Sequence, residues 1–251
     1  MDFIQPYVPE YKKDADEGIL HGAYGPRLFA MRGNVDQLKN VTALLKGNPG
    51  SRRAVVQLFN AEDIAAAHKE IPCTTTLQFH LRDGQLHLSA TLRSNDAYWG
   101  LPHDVFCFTM IQEMMARRLG VDLGEYYQYV GSMHVYIDYL EKVGEYLAEG
   151  YQKAVEMPPM PAGDPFLLVP DLLKAEDQIR HGEAVVASEV VSENYWADIV
   201  RLLQVFWATD HSGRLDELKA EFVNPIYRSY LEGRRYLKPR TPEVRPDPPE
   251  G

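Results

Sequence analysis

Apolar positions at 34–46 (Val35, Leu38, Val41, Leu44 and Leu45) recur at intervals of three and four, which predicts an amphipathic helix. Gly47-Asn48-Pro49-Gly50 ends it. The β-branched and apolar run from Ala54 to Phe59 predicts a buried strand. Thr74 to Leu81 and Gln85 to Leu92 predict a hairpin turning at Arg82-Asp83-Gly84. Leu86, Leu88, Ala90 and Leu92 share one face of its second strand, and His87, Ser89 and Thr91 the other. At 104–119, Phe108, Ile111, Met115 and Leu119 predict a helix that stops at Gly120. A strand from Tyr126 to Val130 and a helix from Val135 to Tyr151 follow. Met157-Pro158-Pro159-Met160-Pro161 reads as a linker, and helical patterning returns at 194–209 and 213–232. The expected class is α+β with a mainly helical C-terminal region. The expected divisions are a lead-in at 1–23, a core at 24–160, a helical region at 161–237 packing on the core, and a disordered tail at 238–251.

Composition narrows the function classes. The chain has 251 residues, 45% apolar, long enough to bury a core without disulfide or metal staples. Its net charge of -10 disfavours nucleic acid as a partner. An anionic ligand therefore needs a local basic cluster. Two cysteines, Cys73 and Cys107, are too few for a disulfide framework or a cysteine zinc site. No apolar run approaches the ~20 residues that cross a bilayer. The N-terminus lacks a basic segment followed by an apolar one, so a soluble, cytoplasmic protein without membrane partners is expected.

Four short stretches concentrate the candidate chemistry: Ser51-Arg52-Arg53, Ile71-Pro72-Cys73-Thr74, Arg93-Ser94-Asn95-Asp96 leading into Gly100-Leu101-Pro102-His103-Asp104, and Gly131-Ser132-Met133-His134-Val135-Tyr136. Each alone has a bland reading. Buried cysteines are mostly inert packing, and paired arginines are mostly solvated surface. Taken in order, together with Gln78-Phe79 and Tyr24-Gly25, the set resembles the thymidylate synthase family from about 18 to 160.

The resemblance implies that Cys73 adds as a thiolate to C6 of a pyrimidine nucleotide, making C5 a nucleophile toward the methylene of 5,10-methylenetetrahydrofolate. It implies a phosphate clamp of Arg93 and Ser94 from one subunit and Arg52 and Arg53 from its partner, hence a homodimer. Arginine forks suit a phosphate dianion, and they are expected to lower the pKa of Cys73. Gln78 and Gly100 belong to the nucleotide site in the same pattern. His134 and Tyr136 would hold the sugar 3′-hydroxyl, and Asp96 would face the folate pterin.

The departures from the family pattern are as informative. Asp104 stands where thymidylate synthases carry an asparagine that reads uracil. A carboxylate offers only acceptors unless protonated, so it would oppose uracil O4. Cytosine inverts the pattern, with a donor at N4 and an acceptor at N3, and the related deoxycytidylate hydroxymethylases carry aspartate here. Ser132 replaces an aspartate, and Thr74 replaces a histidine common after the cysteine. Tyr24-Gly25 stands too near Met1 for the family's N-terminal segment, with its proton-organising glutamate and a further phosphate arginine, to precede it. Glu10, Tyr11 and Lys13 lie where folate-packing tryptophans are usual, and the family's short apolar C-terminus is absent. Glu193, Asp198 and Asp210 are candidate replacement acids in the helical region, with solvated helix faces as the competing reading.

A poorly held folate favours water over hydride at the exocyclic C5 methylene. The leading reading is thus a folate-dependent C5 hydroxymethylase of dCMP or CMP, of the kind that serves modified phage nucleotides or nucleoside antibiotics. A C5 methyltransferase on the same nucleotides, a divergent thymidylate synthase on dUMP, and a nucleotide-binding paralogue without chemistry are the alternatives.

Overall fold

The computed structural model describes residues 4, 6–9, 11–151, 154–208, 213–234, 240, 242 and 243. The chain divides into two compact units, Met1–Tyr151 and Gln152–Gly251. The first unit runs α1 (Tyr11–Asp14), α2 (Tyr24–Phe29), α3 (Gln37–Gly47), β1 (Val55–Gln57), β2 (Thr74–Arg82), β3 (Gln85–Leu92), β4 (Asn95–Asp96), α4 (Gly100–Leu119), β5 (Asp122–Val130), β6 (Met133–His134) and α5 (Leu140–Ala148). Four strands form a mixed sheet in the order β1-β2-β3-β5, antiparallel except for the parallel β3–β5 pair. A separate parallel ribbon pairs β4 with β6.

The hairpin forms where expected because Asp83 and Gly84 both take positive φ, 50° and 77°, as a two-residue turn matched to strand twist requires. One sheet face carries Val56, Leu77, Phe79, Leu86, Leu88, Ala90 and Leu92, all buried. Phe108, Met115 and Ala116 of α4 and Leu38, Val41 and Leu45 of α3 complete the core. The opposite face leaves Val55, Tyr127 and Tyr129 exposed.

Parallel pairing of β3 with β5 needs a long crossover, which α4 supplies. The register slips between Leu86 and Leu88, and the fully buried Gln112 of α4 repairs the slip. Its Nε2 donates to the carbonyls of Leu86, Gly124 and Glu125 at 2.9, 3.1 and 3.2 Å. The apolar stripe expected on α4 thus has a glutamine in its centre, while Ile111 and Leu119 are half-buried.

Several boundaries move for identifiable reasons. α4 begins at Gly100, one turn before the expected start, because Pro102 falls in the first turn where no N–H is required. β5 begins at Asp122 instead of Tyr126, since the slipped ladder extends through Gly124. The helix expected from Val135 begins at Leu140, because Met133 and His134 are held in the β4–β6 ribbon.

The second unit holds α6 (Val169–Arg180), α7 (Ala187–Val190), α8 (Asn194–Trp207), α9 (Arg214–Glu221) and α10 (Arg228–Arg234). Neither α6 nor α7 is expected from the sequence pattern. The helix expected across 213–232 breaks before Pro225, whose ring disfavours helical geometry in the residue preceding it. Asp198 of α8 is buried, bonded to Arg201 Nη1 at 2.8 Å and accepting from the Val223 and Asn224 N–H groups. It is a structural acid, contrary to its candidacy for proton transfer. Glu193 precedes α8 and accepts from Ser192 Oγ, whereas Asp210 and Glu10 lie outside the described residues, as does most of the expected tail.

Candidate active site

Cys73 stands immediately before β2, half-buried. Arg93, just after β3, lies across it: its Nη2 is 3.9 Å from the sulfur, while Nε and Nη2 donate to the Pro72 and Ile71 carbonyls at 2.9 and 3.2 Å. The arginine therefore fixes the chain on the N-terminal side of the thiol as well as placing charge beside it. Burial is the largest influence on the thiol and raises its pKa; Arg93 lowers it, and the Asp104 and Glu70 carboxylates raise it again. The net direction is upward, so the expected depression is not met within one chain. One guanidinium does not outweigh desolvation and two acids.

Asp104 occupies the N-terminal end of the α4 stripe that continues through Phe108 and Gln112, so helical periodicity turns it inward. Burial pushes its carboxyl up to about 6, with His103 and the Asn95 side chain pulling the other way. Its charge in turn helps raise the Tyr24 and Tyr126 hydroxyls, after burial, which is the larger cause in both. Tyr24 takes the Thr74 N–H on its hydroxyl at 3.2 Å, one residue beyond the thiol, and its ring stacks on Phe108.

The β4–β6 ribbon assembles the remaining residues. Asp96 pairs with His134, and Ser94 Oγ lies 3.3 Å from His134 Nδ1. His134 meets Tyr136 edge-on at 4.9 Å, with the Tyr136 ring exposed. Asp96 Oδ2 accepts from the Trp99 and Gly100 N–H groups at 2.5 and 3.3 Å, which anchors the start of α4. A Cβ at Gly100 would run into Asn95 Oδ1, so a side chain there would displace the buried Asn95 amide.

Among the described residues, Asp96 Oδ1 and Gln128 Nε2 are buried with no hydrogen-bond partner. An unmet buried polar atom costs about 1–3 kcal/mol, and its retention points to a ligand. Gln128 neighbours Tyr126, whose hydroxyl it accepts at 2.5 Å.

Three expected residues lie elsewhere. Gln78 belongs to the sheet face opposite α4 and donates to the Arg52 carbonyl at 3.2 Å, since the strand's period of two turns it away from buried Leu77 and Phe79. It supports the Arg52 loop instead of lining the Cys73 cluster of its own chain. Arg52 and Arg53 are exposed beside β1, outside that cluster. Conversely, Tyr126, Gln128 and Glu70 belong to none of the four motif stretches. An acid three residues before the cysteine is the legible signal for Glu70.

The thymidylate synthase family model matches residues 8–161. The chain belongs to the thymidylate synthase family. It is 36% identical over 178 residues to the deoxyuridylate hydroxymethyltransferase of Bacillus phage SP01, covering 65% of this chain and 46% of that protein. It thus spans about half the length of that curated relative. Thermostable thymidylate synthase A from Bacillus subtilis has a similar fold, with a TM-score of 0.54 at 29% identity over 64% of this chain and 61% of that one. The mixed sheet with flanking helices is therefore the thymidylate-synthase-like fold. Among the described residues, no helix is long and apolar enough to cross a membrane.

Proposed function

We propose that this family member catalyses folate-dependent C5 hydroxymethylation of a cytidine 5′-monophosphate, dCMP or CMP. The observation that carries the reading is Asp104: an inward carboxyl beside the Cys73 thiol, with its pKa pushed up to about 6. Such a group accepts from the cytosine 4-amino group with one oxygen and shares a single proton with N3 through the other. That shared proton also removes part of the negative charge that holds the thiol up. Binding of the correct base therefore favours the Cys73 thiolate, which forms the bond to C6.

Arg93 and Ser94 hold the phosphate, and Arg52 and Arg53 reach it from the partner of a homodimer. The exposed sheet face with Val55, Tyr127 and Tyr129 supports that assembly, because an apolar face beside the Arg52 loop suits a second copy. His134 and Tyr136 take the sugar hydroxyl. The residues present fit 5,10-methylenetetrahydrofolate: the orphaned Asp96 Oδ1 would accept from its pterin, beside the half-exposed ring of Trp99. When bound, this cofactor supplies the one-carbon unit. The hydroxymethyl product follows the name of the phage relative and the absence of tryptophan from residues 1–98.

A second reading, action on dUMP, is favoured by the phage relative's printed substrate. A protonated Asp104 offers one donor and one acceptor, as an asparagine amide does, and could read uracil. Either base is read with one proton on the Asp104–base pair, so the two readings separate by substitution and not by pH. Asp104→Asn should shift preference toward uridylate by about 10–100-fold, the weight of ~1–3 kcal/mol for one mismatched buried pair. A preference that ignores this substitution would sink the role of Asp104.

A further inference from the structure

A second cluster, which the proposed chemistry does not use, lies between the lead-in and the chain approaching Cys73. Asp16 is set by a tight turn: it pairs with Ile19 across Glu17 and Gly18, which take φ of 48° and 84°. His21 follows, its carbonyl held by the Arg27 guanidinium. His68 arrives from the loop that leads to the nucleophile, and its ring stacks on His21 with centroids 3.9 Å apart. His21 Nε2 stands 3.8 Å from Asp16 Oδ2, and His68 Nδ1 stands 3.9 Å from the same oxygen. One donor atom from each residue lies within 4.8 Å of the other two.

These separations are too long for N–H···O hydrogen bonds, which close at roughly 2.7–3.2 Å. They lie just outside the ~3.4 Å between neighbouring ligands of a tetrahedral ion with bonds of ~2.1 Å. Ligation would turn the stacked imidazoles out of their 24° near-parallel arrangement so that His21 Nε2 and His68 Nδ1 both aim at one ion beside Asp16 Oδ2. Asp16 Oδ2 is already oriented by the Lys69 N–H at 3.2 Å. All three side chains are 24–31% exposed, which leaves room for a water ligand.

We propose that Asp16, His21 and His68 form a binding site for one divalent transition-metal ion of the zinc class. Two imidazoles and a carboxylate select such ions over magnesium or calcium, which prefer all-oxygen shells. The ion joins residues 16–21 to His68. Beyond it come Glu70, which accepts from the Gly22 N–H at 2.8 Å, and then Cys73. It is therefore a structural pin on the segment that presents the thiol, independent of which base the enzyme takes. The Lys69 ammonium, 3.8 Å from Asp16 Oδ1, opposes the ion's charge and lowers the affinity.

The test is a cobalt(II) titration of the full, chelator-treated, reduced chain, followed by optical absorbance, with zinc competition by calorimetry. The expected result is one ion per chain, with visible bands of nitrogen and oxygen ligation and no thiolate-to-cobalt charge transfer. His21→Ala, His68→Ala and Asp16→Asn should each weaken binding about tenfold or more. Lys69→Ala should tighten it, a gain that misfolding cannot mimic. No stoichiometric binding by the folded protein, binding undiminished in both histidine variants, or a thiolate charge-transfer band at the same stoichiometry would each overturn the assignment.

Discussion

Burial and then the Asp104 charge hold the Cys73 proton, while burial alone raises Asp104, so the thiol resists ionisation until a ligand intervenes. Cys73→Ala should abolish turnover while leaving nucleotide affinity within a few-fold of the parent, measured by calorimetry. A variant that still turns over would remove the thiol from the mechanism. Asp104 also makes a stability prediction. Its folded pKa of about 6 exceeds the ordinary 3.8, so between those values the folded chain keeps a proton that the unfolded chain has lost. Stability from this group is full below about 3.8 and declines as pH rises toward 6. Asp104→Asn should therefore raise Tm at pH 7 and above and leave it unchanged near pH 3.5, as replacement of a strained site residue commonly does. Thermal melts across that range check it. The residues of this site were legible because motif order marks Cys73, Arg93, Asp96 and His134. The net rise of the thiol was not, since it depends on burial that no spacing reveals.

At the scale of elements, two polar knots hold the frame of the first unit. Gln112 ties α4 to the slipped β3–β5 ladder, and Gln112→Leu should cost about 1–3 kcal/mol per backbone carbonyl group left bare, read from urea unfolding. Arg27 makes a bidentate pair with Asp63 at 2.6 and 2.8 Å while also donating to the Leu58 and His21 carbonyls. Burial would raise the Asp63 carboxyl, but the bonds from Arg27 and the Asn60 N–H reverse it and hold it below 3.8. That stability is present above the unfolded pKa and is lost as pH falls below it. Arg27→Ala should cost about 3–5 kcal/mol by leaving a buried carboxylate alone. The hairpin, α3 and α8 follow directly from hydrophobic period and turn residues. The late start of α5 depends on pairing between β4 and β6, strands of two residues that periodicity cannot register.

For the whole molecule, the account requires two chains to complete one site. Neither Cys73→Ala nor the double variant Arg52→Ala/Arg53→Ala should turn over alone. Mixed and re-equilibrated, they should recover about one quarter of parental activity, since half the dimers are mixed and each then carries one intact site. Tyr129→Asp on the exposed sheet face should give monomers by sedimentation and remove activity with them. The central claim, covalent chemistry at C5 of a cytidine nucleotide, is tested most directly by tritium release from [5-³H]-labelled dCMP, CMP and dUMP with methylenetetrahydrofolate. The account predicts release from a cytidine nucleotide near neutral pH, dependent on Cys73, with a 5-hydroxymethyl product by mass spectrometry. Release from dUMP alone at that pH, or none from a folded dimer that binds all three nucleotides, would contradict it.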